Sequence, residues 1–167
     1  NEKSVERHLC GAIVKPGSAV VMDEKNTCQI PDSNPPGDEI RDILSRARTI
    51  AVVGLSDRSD RDSYKVASYL KDRSYTIIPV NPGKKEILGE PCYPDLSSIP
   101  VKVDIVDIFR AVDAIPGIVE EAISIGAGAV WMQLGLAHNE SARRAREAGL
   151  TVVQSRCIKA EHAKVFG

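Results

Sequence analysis

Thr49-Ile50-Ala51-Val52-Val53-Gly54, followed at once by Leu55-Ser56-Asp57-Arg58-Ser59-Asp60-Arg61-Asp62-Ser63, is the stretch whose reading decides the fold. An unbroken apolar, β-branched run without polar alternation is what a strand buried on both faces of a parallel sheet looks like. A glycine and a polar, serine-bearing loop end it. The spacing then predicts a helix over 63–73, with Val66, Ala67 and Leu70 on one face.

The same grammar repeats outward from that stretch. Further runs stand at Tyr75-Thr76-Ile77-Ile78-Pro79-Val80, at 103–109, at Ala129-Val130-Trp131-Met132-Gln133-Leu134 and at Leu150-Thr151-Val152-Val153. Between them, 113–125 reads as a helix stopped by Gly126, and 139–148 as one stopped by Gly149, both suitable C-terminal caps. Upstream, Asp38 is expected to cap a helix carrying Ile40, Ile43, Leu44 and Ala47. A turn-rich link through Ile87-Leu88-Gly89, with a short helix over 95–99, joins the second and third runs. Strands alternating with helices predict an α/β fold: a Rossmann-like, doubly wound, parallel five-stranded sheet in three layers. Residues 1–37 hold Pro16-Gly17, Pro31-Asp32-Ser33-Asn34 and Pro35-Pro36-Gly37, and read as an irregular N-terminal extension to a domain over 38–167.

Composition narrows the function. With 22 Lys+Arg against 23 Asp+Glu, the formal charge is -1, which argues against general attraction to nucleic acid or anionic membrane but permits a local cationic pocket. No apolar run approaches the ~20 residues of a membrane span, and no apolar leader is visible. Seven aromatics (4 Tyr, 2 Phe, 1 Trp) make a poor stacking platform for single-stranded nucleic acid. Cys10, Cys28, Cys92 and Cys157 stand apart and form no C-x-x-C pair, as expected for a reducing cytoplasm. His8, His138 and His162 lack i,i+4 spacing, so no metal site is expected.

Ligands of open parallel sheets bind beyond the carboxyl ends of the strands. The residues there are Gly54, Leu55, Ser56, Asp57, Arg58, Arg61 and Ser63 after the first strand, and Asn81, Pro82 and Lys84 after the second. Phe109 and Arg110 follow the third strand, Met132, Gln133 and Gly135 close the fourth, and Arg156 and Lys159 lie beyond the fifth. Cations recur along one edge, as a polyphosphate ligand requires. The G-x-G-x-x-G dinucleotide fingerprint is broken, since Ser56 and Ser59 replace its later glycines, and Lys84 stands where an NAD-binding acid is expected. There is no P-loop sequence.

Taken together, Val53-Gly54-Leu55-Ser56-Asp57-Arg58, Pro79-Val80-Asn81-Pro82, Val106-Asp107-Ile108-Phe109-Arg110, Trp131-Met132-Gln133-Leu134-Gly135 and Ala148-Gly149-Leu150 resemble the small stand-alone CoA-binding domain proteins. These are similar to the N-terminal Rossmann-like domain of the succinyl-CoA synthetase α subunit, and the resemblance runs from about residue 38 onward. It implies that coenzyme A or an acyl-CoA is the ligand. It further implies that 54–58 wraps its phosphates, that Lys84 matches the lysine of a Thr-Pro-Gly-Lys turn, and that 109–110 and 132–135 also touch it. Asp57 departs from the pattern, which has glycine there. The family's acid-activating chemistry uses a histidine on a second domain, so binding without catalysis of its own is the expectation here, with no catalytic residue assigned.

The alternatives are an NADP-dependent oxidoreductase or nucleotide sensor, and a docking or regulatory subunit of an acyl-CoA enzyme, engaged as a homodimer or through residues 1–37. Of the remaining candidates, Cys92 and Cys157 are read as ordinary thiols and Trp131 as core. Asp104 and Asp107 fall on opposite sheet faces, with Asp107 a candidate to position Arg110 or the first loop. His138 is expected at a helix start, and Arg143, Arg144 and Arg146 on a solvated helix face.

Overall fold

A computed structural model describes residues 29–167. Helix α1 (Gly37–Arg46) leads into β1 (Thr49–Val53), α2 (Asp62–Lys71) and β2 (Thr76–Val80). A two-residue hairpin follows, β3 (Glu86–Ile87) and β4 (Glu90–Pro91), then a 3-10 turn at Leu96–Ser98. The chain continues through β5 (Ile105–Ile108), a second 3-10 turn at Val112–Ala114, α3 (Ile115–Ser124), β6 (Ala129–Met132), α4 (Asn139–Glu147), β7 (Thr151–Val153) and α5 (Ile158–Phe166). The main sheet is five-stranded and parallel, in the order β2-β1-β5-β6-β7. The expected doubly wound α/β fold is the one observed.

Alternation along the strands distributes the core. Ile50, Val52, Ile77, Ile105, Trp131 and Val153 face α1, α2 and α5, together with Ile40, Leu44, Val66, Leu70 and Ile158. Ala51, Val53, Ile78, Val106, Ile108 and Met132 face the opposite way, with Leu96, Ile115, Val119 and Ala145 over them. Because both faces are covered, residues 50–53 of β1 and the whole of β6 are unbroken apolar runs, and β5 is interrupted only by Asp107. Trp131 is core as expected, and its Nε1 donates to the Arg156 carbonyl at 2.8 Å.

Some local expectations need correction. Pro36, not Asp38, is the N-cap of α1; Asp38 lies in the first turn, where its charge complements the helix dipole and its Oδ1 accepts from the Glu39 amide at 3.0 Å. Helix α5 and the β3–β4 hairpin were not foreseen. Gly126 (φ 68°) and Gly149 (φ 91°) do occupy the left-handed cap positions assigned to them.

Of the extension expected over 1–37, residues 29–36 are described, and residues 1–28, with Cys10, Cys28 and His8, lie outside the described residues. The Asn34 side chain exchanges two hydrogen bonds with the Gln154 backbone, at 2.9 and 2.7 Å, just past β7. Arg146 of α4 donates to the Ser33 carbonyl and pairs with Asp32, while Arg144 reaches across to Glu120 of α3. The basic face of α4 is therefore tied to its neighbours, and Arg143 pairs along the helix with Glu147.

Candidate functional site

The strand order reverses between β1 and β5. The chain leaves β1 toward α2 on one face and leaves β5 toward α3 on the other, which opens a crevice at the carboxyl edge. Gly54 permits the close approach at that point. It has φ 85°, and a Cβ placed on it would lie 2.5 Å from the Phe109 carbonyl oxygen and 2.8 Å from Arg110 Cδ. A side chain has no room there, and the backbone conformation itself disfavours one.

Two clefts flank the crevice. The larger, about 480 Å³, lies on the α2/α5 side; Lys65, Phe109, Arg110, Gln133, Cys157 and Lys159 are among the residues lining it. The smaller, about 220 Å³, lies on the α3 side between Val53, Val80, Pro82, Leu96 and Ile118. Arg110 lines both. Lys65, Arg110 and Lys159 form no ion pair among the described residues. Leu134, 75% exposed, adds an apolar wall to the larger cleft.

The loop after β1 is organised by its own hydroxyls. Ser63 Oγ accepts from the Ser56 amide at 3.0 Å, and Ser56 Oγ accepts from the Arg58 amide at 3.1 Å. Arg58 turns to Asp60 at 3.1 Å, and Arg61 is the exposed N-cap of α2. Asn81 ties this loop to the next, donating from Nδ2 to the Leu55 carbonyl at 3.1 Å and accepting at Oδ1 from the Gly83 amide at 2.9 Å. Asp57 and Lys84 bridge the same two loops, with Oδ2 and Nζ 2.7 Å apart. The Lys84 hydrogen bond holds the Asp57 carboxyl below its ordinary range, although desolvation opposes it. The departure from the family pattern at Asp57 thus has a partner: the lysine assigned to a phosphate already carries a counter-ion.

The expected site residues therefore divide. Phe109, Arg110 and Gln133 line the larger cleft, and Pro82 and Arg110 the smaller. Leu55 and Met132 have side chains wholly in the core, so only their backbone faces the edge. Gly135, with φ 88°, donates its amide N–H to Ser155 Oγ at 3.1 Å. Gly54, Ser56, Asp57, Arg58, Arg61, Ser63, Asn81 and Lys84 build the loops beside the clefts rather than their linings. Asp62 and Lys65 were missed, although their place in the first turns of the helix after β1 marks them. Lys159, one of the cations expected beyond the fifth strand, lines the same cleft.

Arg156 turns away from a ligand role toward Glu161, at 3.7 Å. Cys92 donates to the Asn81 carbonyl at 3.4 Å, and burial pushes its thiol up, so it is held as a neutral thiol. His138 is the N-cap of α4, its Nδ1 accepting from the Ser141 amide at 3.2 Å. Among the described residues no group of three or more His, Cys, Asp or Glu is placed to hold a metal, and no helix is long and apolar enough to cross a membrane.

Fold and crevice together define a doubly wound α/β domain whose open edge gathers cations that form no ion pair among the described residues, at the strand-order switch. The comparisons carry this to a family: a model described as CoA binding domain matches residues 48–163, and the chain belongs to that family. An uncharacterized protein of Bacillus subtilis (strain 168), YneT, is 44% identical over 130 residues, 78% of this chain and 96% of its own. A hypothetical protein from Pyrococcus horikoshii OT3 has the same fold, with a TM-score of 0.79 and 39% identity over 83% of this chain and 98% of that one. An ADP-forming acetate–CoA ligase, form II, of Archaeoglobus fulgidus is 28% identical over 161 residues, 94% of this chain. This chain spans about a fifth of that ligase, 22% of its length. The family expected from the strand-end motifs is the family found.

Proposed function

We propose that this domain binds coenzyme A or an acyl-CoA across the carboxyl edge of its sheet, and that binding rather than catalysis is its own contribution. The observation that carries the reading is the convergence of Lys65, Arg110 and Lys159 on one cleft with no ion pair among the described residues. Unpaired cations in a half-enclosed cleft are a site for anionic oxygens. Arg110 joins the two clefts, so a phosphate at the crevice places one end of a long ligand on each side of the sheet. Val66, Phe109 and Leu134 offer the apolar surface such a ligand needs beside its charges. The family's description and the printed name of the acetate–CoA ligase support the same ligand. The free Cys92 and Cys157 suit a reducing, cytoplasmic setting.

Calorimetric titration with CoA, 3′-dephospho-CoA and NADP tests this. CoA is expected to bind most tightly, with dephospho-CoA weaker by the contacts to one phosphate. Tighter binding of NADP than of CoA would return the domain to the oxidoreductase or sensor class.

A further inference from the structure

Asp107 stands at the centre of β5, wholly buried between Val52 of β1 and Trp131 of β6. Its Oδ2 has no hydrogen-bond partner among the described residues, the one buried side-chain oxygen or nitrogen there left so. Its Oδ1 accepts from Gln133 Nε2 at 2.5 Å. Gln133 is itself 5% exposed and lines the larger cleft. The Gln133 side-chain oxygen takes no hydrogen bond from a described residue, so with its nitrogen turned inward the amide offers the cleft an acceptor.

A carboxyl group dictates how that amide must stand. Ionised, it only accepts, and Gln133 has to direct N–H inward. Protonated, it needs an acceptor for its own O–H, and Oδ2 has no hydrogen-bond partner among the described residues. The proton is then best placed on the oxygen facing Gln133, which requires the amide to rotate and turn its nitrogen outward. We propose that Asp107 is a positioning residue for Gln133, and that the pair sets the polarity of the hydrogen bond which the cleft offers its ligand: acceptor when Asp107 is ionised, donor when it is protonated. The inference rests on the CoA reading, since the pantetheine arm carries amides able to answer either polarity.

Burial pushes the Asp107 carboxyl up to about 7, against the Gln133 hydrogen bond that lowers it, so both states are populated near neutrality. The titratable and charged groups on the cleft side are Asp62 and Lys65 from α2, Arg110 after β5, Cys157 at the N-cap of α5 and Lys159 within it. The in-register neighbours on β1 and β6 are apolar.

The test pairs two measurements, each from about pH 5.5 to 8.5. One follows the Gln133 side-chain amide resonances of ¹⁵N-labelled, ligand-free protein. The other measures CoA affinity of the wild type and of Asp107→Asn, whose amide donates to Gln133 and imitates the protonated state at every pH. The Gln133 resonances are expected to move with a midpoint near 7 in the wild type and to stay still in the variant. The wild-type CoA affinity should change by about fivefold across that midpoint, the scale of one hydrogen bond, beyond any change in the variant. Ligand phosphate ionisation acts on both proteins and cancels from the comparison. Static Gln133 resonances overturn the proposal, and so does a CoA profile that Asp107→Asn leaves unaltered. Failure of both proteins to bind CoA at any pH removes the CoA reading instead, and the resonance titration still decides whether Asp107 sets the orientation of Gln133.

Discussion

The two edges of one sheet are built to opposite standards. At the amino edge the half-buried carboxylate is satisfied by the chain itself: Asp104 Oδ2 accepts from the Arg48 and Thr49 amides at 2.7 and 3.1 Å, and Arg48 donates back to the Ser45 and Ala47 carbonyls. Desolvation raises the Asp104 carboxyl, but the backbone donors outweigh it and hold the group below its ordinary range. At the carboxyl edge, among the described residues, Asp107 keeps an orphan oxygen and Lys65, Arg110 and Lys159 form no ion pair. Both edges have hollows. A cleft of about 330 Å³ lies between Asp42, Arg46, Lys102 and Gly128 at the amino edge, against about 480 Å³ opposite. Volume does not separate the two edges; the buried carboxyl group does, satisfied by backbone donors at Asp104 and left with an orphan oxygen at Asp107 among the described residues.

That contrast breaks most visibly at Gly54. Gly54→Ala puts a Cβ against the Phe109 carbonyl and forces a positive φ on a residue that carries a Cβ, so urea unfolding should show a loss of about 4 kcal/mol or failure to fold. A loss under about 1 kcal/mol would mean that the β1 and β5 loops are free to part, and that the crevice is not rigid.

Asp107 sharpens the contrast next. Its folded value lies above the ordinary 3.8, so the native state holds the extra proton between about 4 and 7. The stabilising contribution is full below 3.8 and is lost as pH rises through about 7. Asp104 and Asp57 carry the opposite sign, losing stability as pH falls. In unfolding measurements, Asp107→Asn should therefore gain on the wild type between pH 5 and 8, by about 3 kcal/mol in all. A difference profile flat in pH would place the Asp107 carboxyl in contact with water.

Arg110→Ala should weaken CoA by about 1.5–3 kcal/mol, the value of a charge-assisted contact, with little change in unfolding free energy. Its amino-edge counterpart Arg46→Ala, which breaks an exposed pair with Asp42, should leave CoA binding unmoved and change stability by less than about 0.5 kcal/mol. Equal effects on CoA from the two arginines would erase the distinction between the edges.

The smallest effect is expected at the Asp57–Lys84 bridge. Asp57→Ala releases Lys84 for a phosphate and should tighten CoA slightly, while Lys84→Ala should weaken it by a similarly small amount. Dephospho-CoA should respond less to both if the 3′-phosphate is what Lys84 meets. Opposite signs would give the bridge a purely structural part.

The legible parts of this molecule were those with a period. Five apolar runs placed the strands, helical spacing placed α1 to α4, and the glycines at 126 and 149 placed two helix ends. Helix α5 escaped because its inward face carries Glu161 and His162 beside Ile158, so no apolar stripe marks it. At the site, the loops after the strands were legible from topology alone, and Arg110, Phe109 and Gln133 fell where that rule put them. The pairing of Asp57 with Lys84 was not, since it joins loops from different strands. Nor was the orphaned Asp107, which reads in sequence as an acid in a strand and becomes distinctive only once β1 and β6 enclose it.

Mapping CoA onto the backbone amide resonances of the domain tests the central claim most directly. The shifts should gather at residues 54–63, 81–84, 109–110 and 133–136, and spare 39–48 and 102–105 at the opposite edge. Shifts centred on 39–48 and 102–105, or none at saturating CoA, would contradict the account.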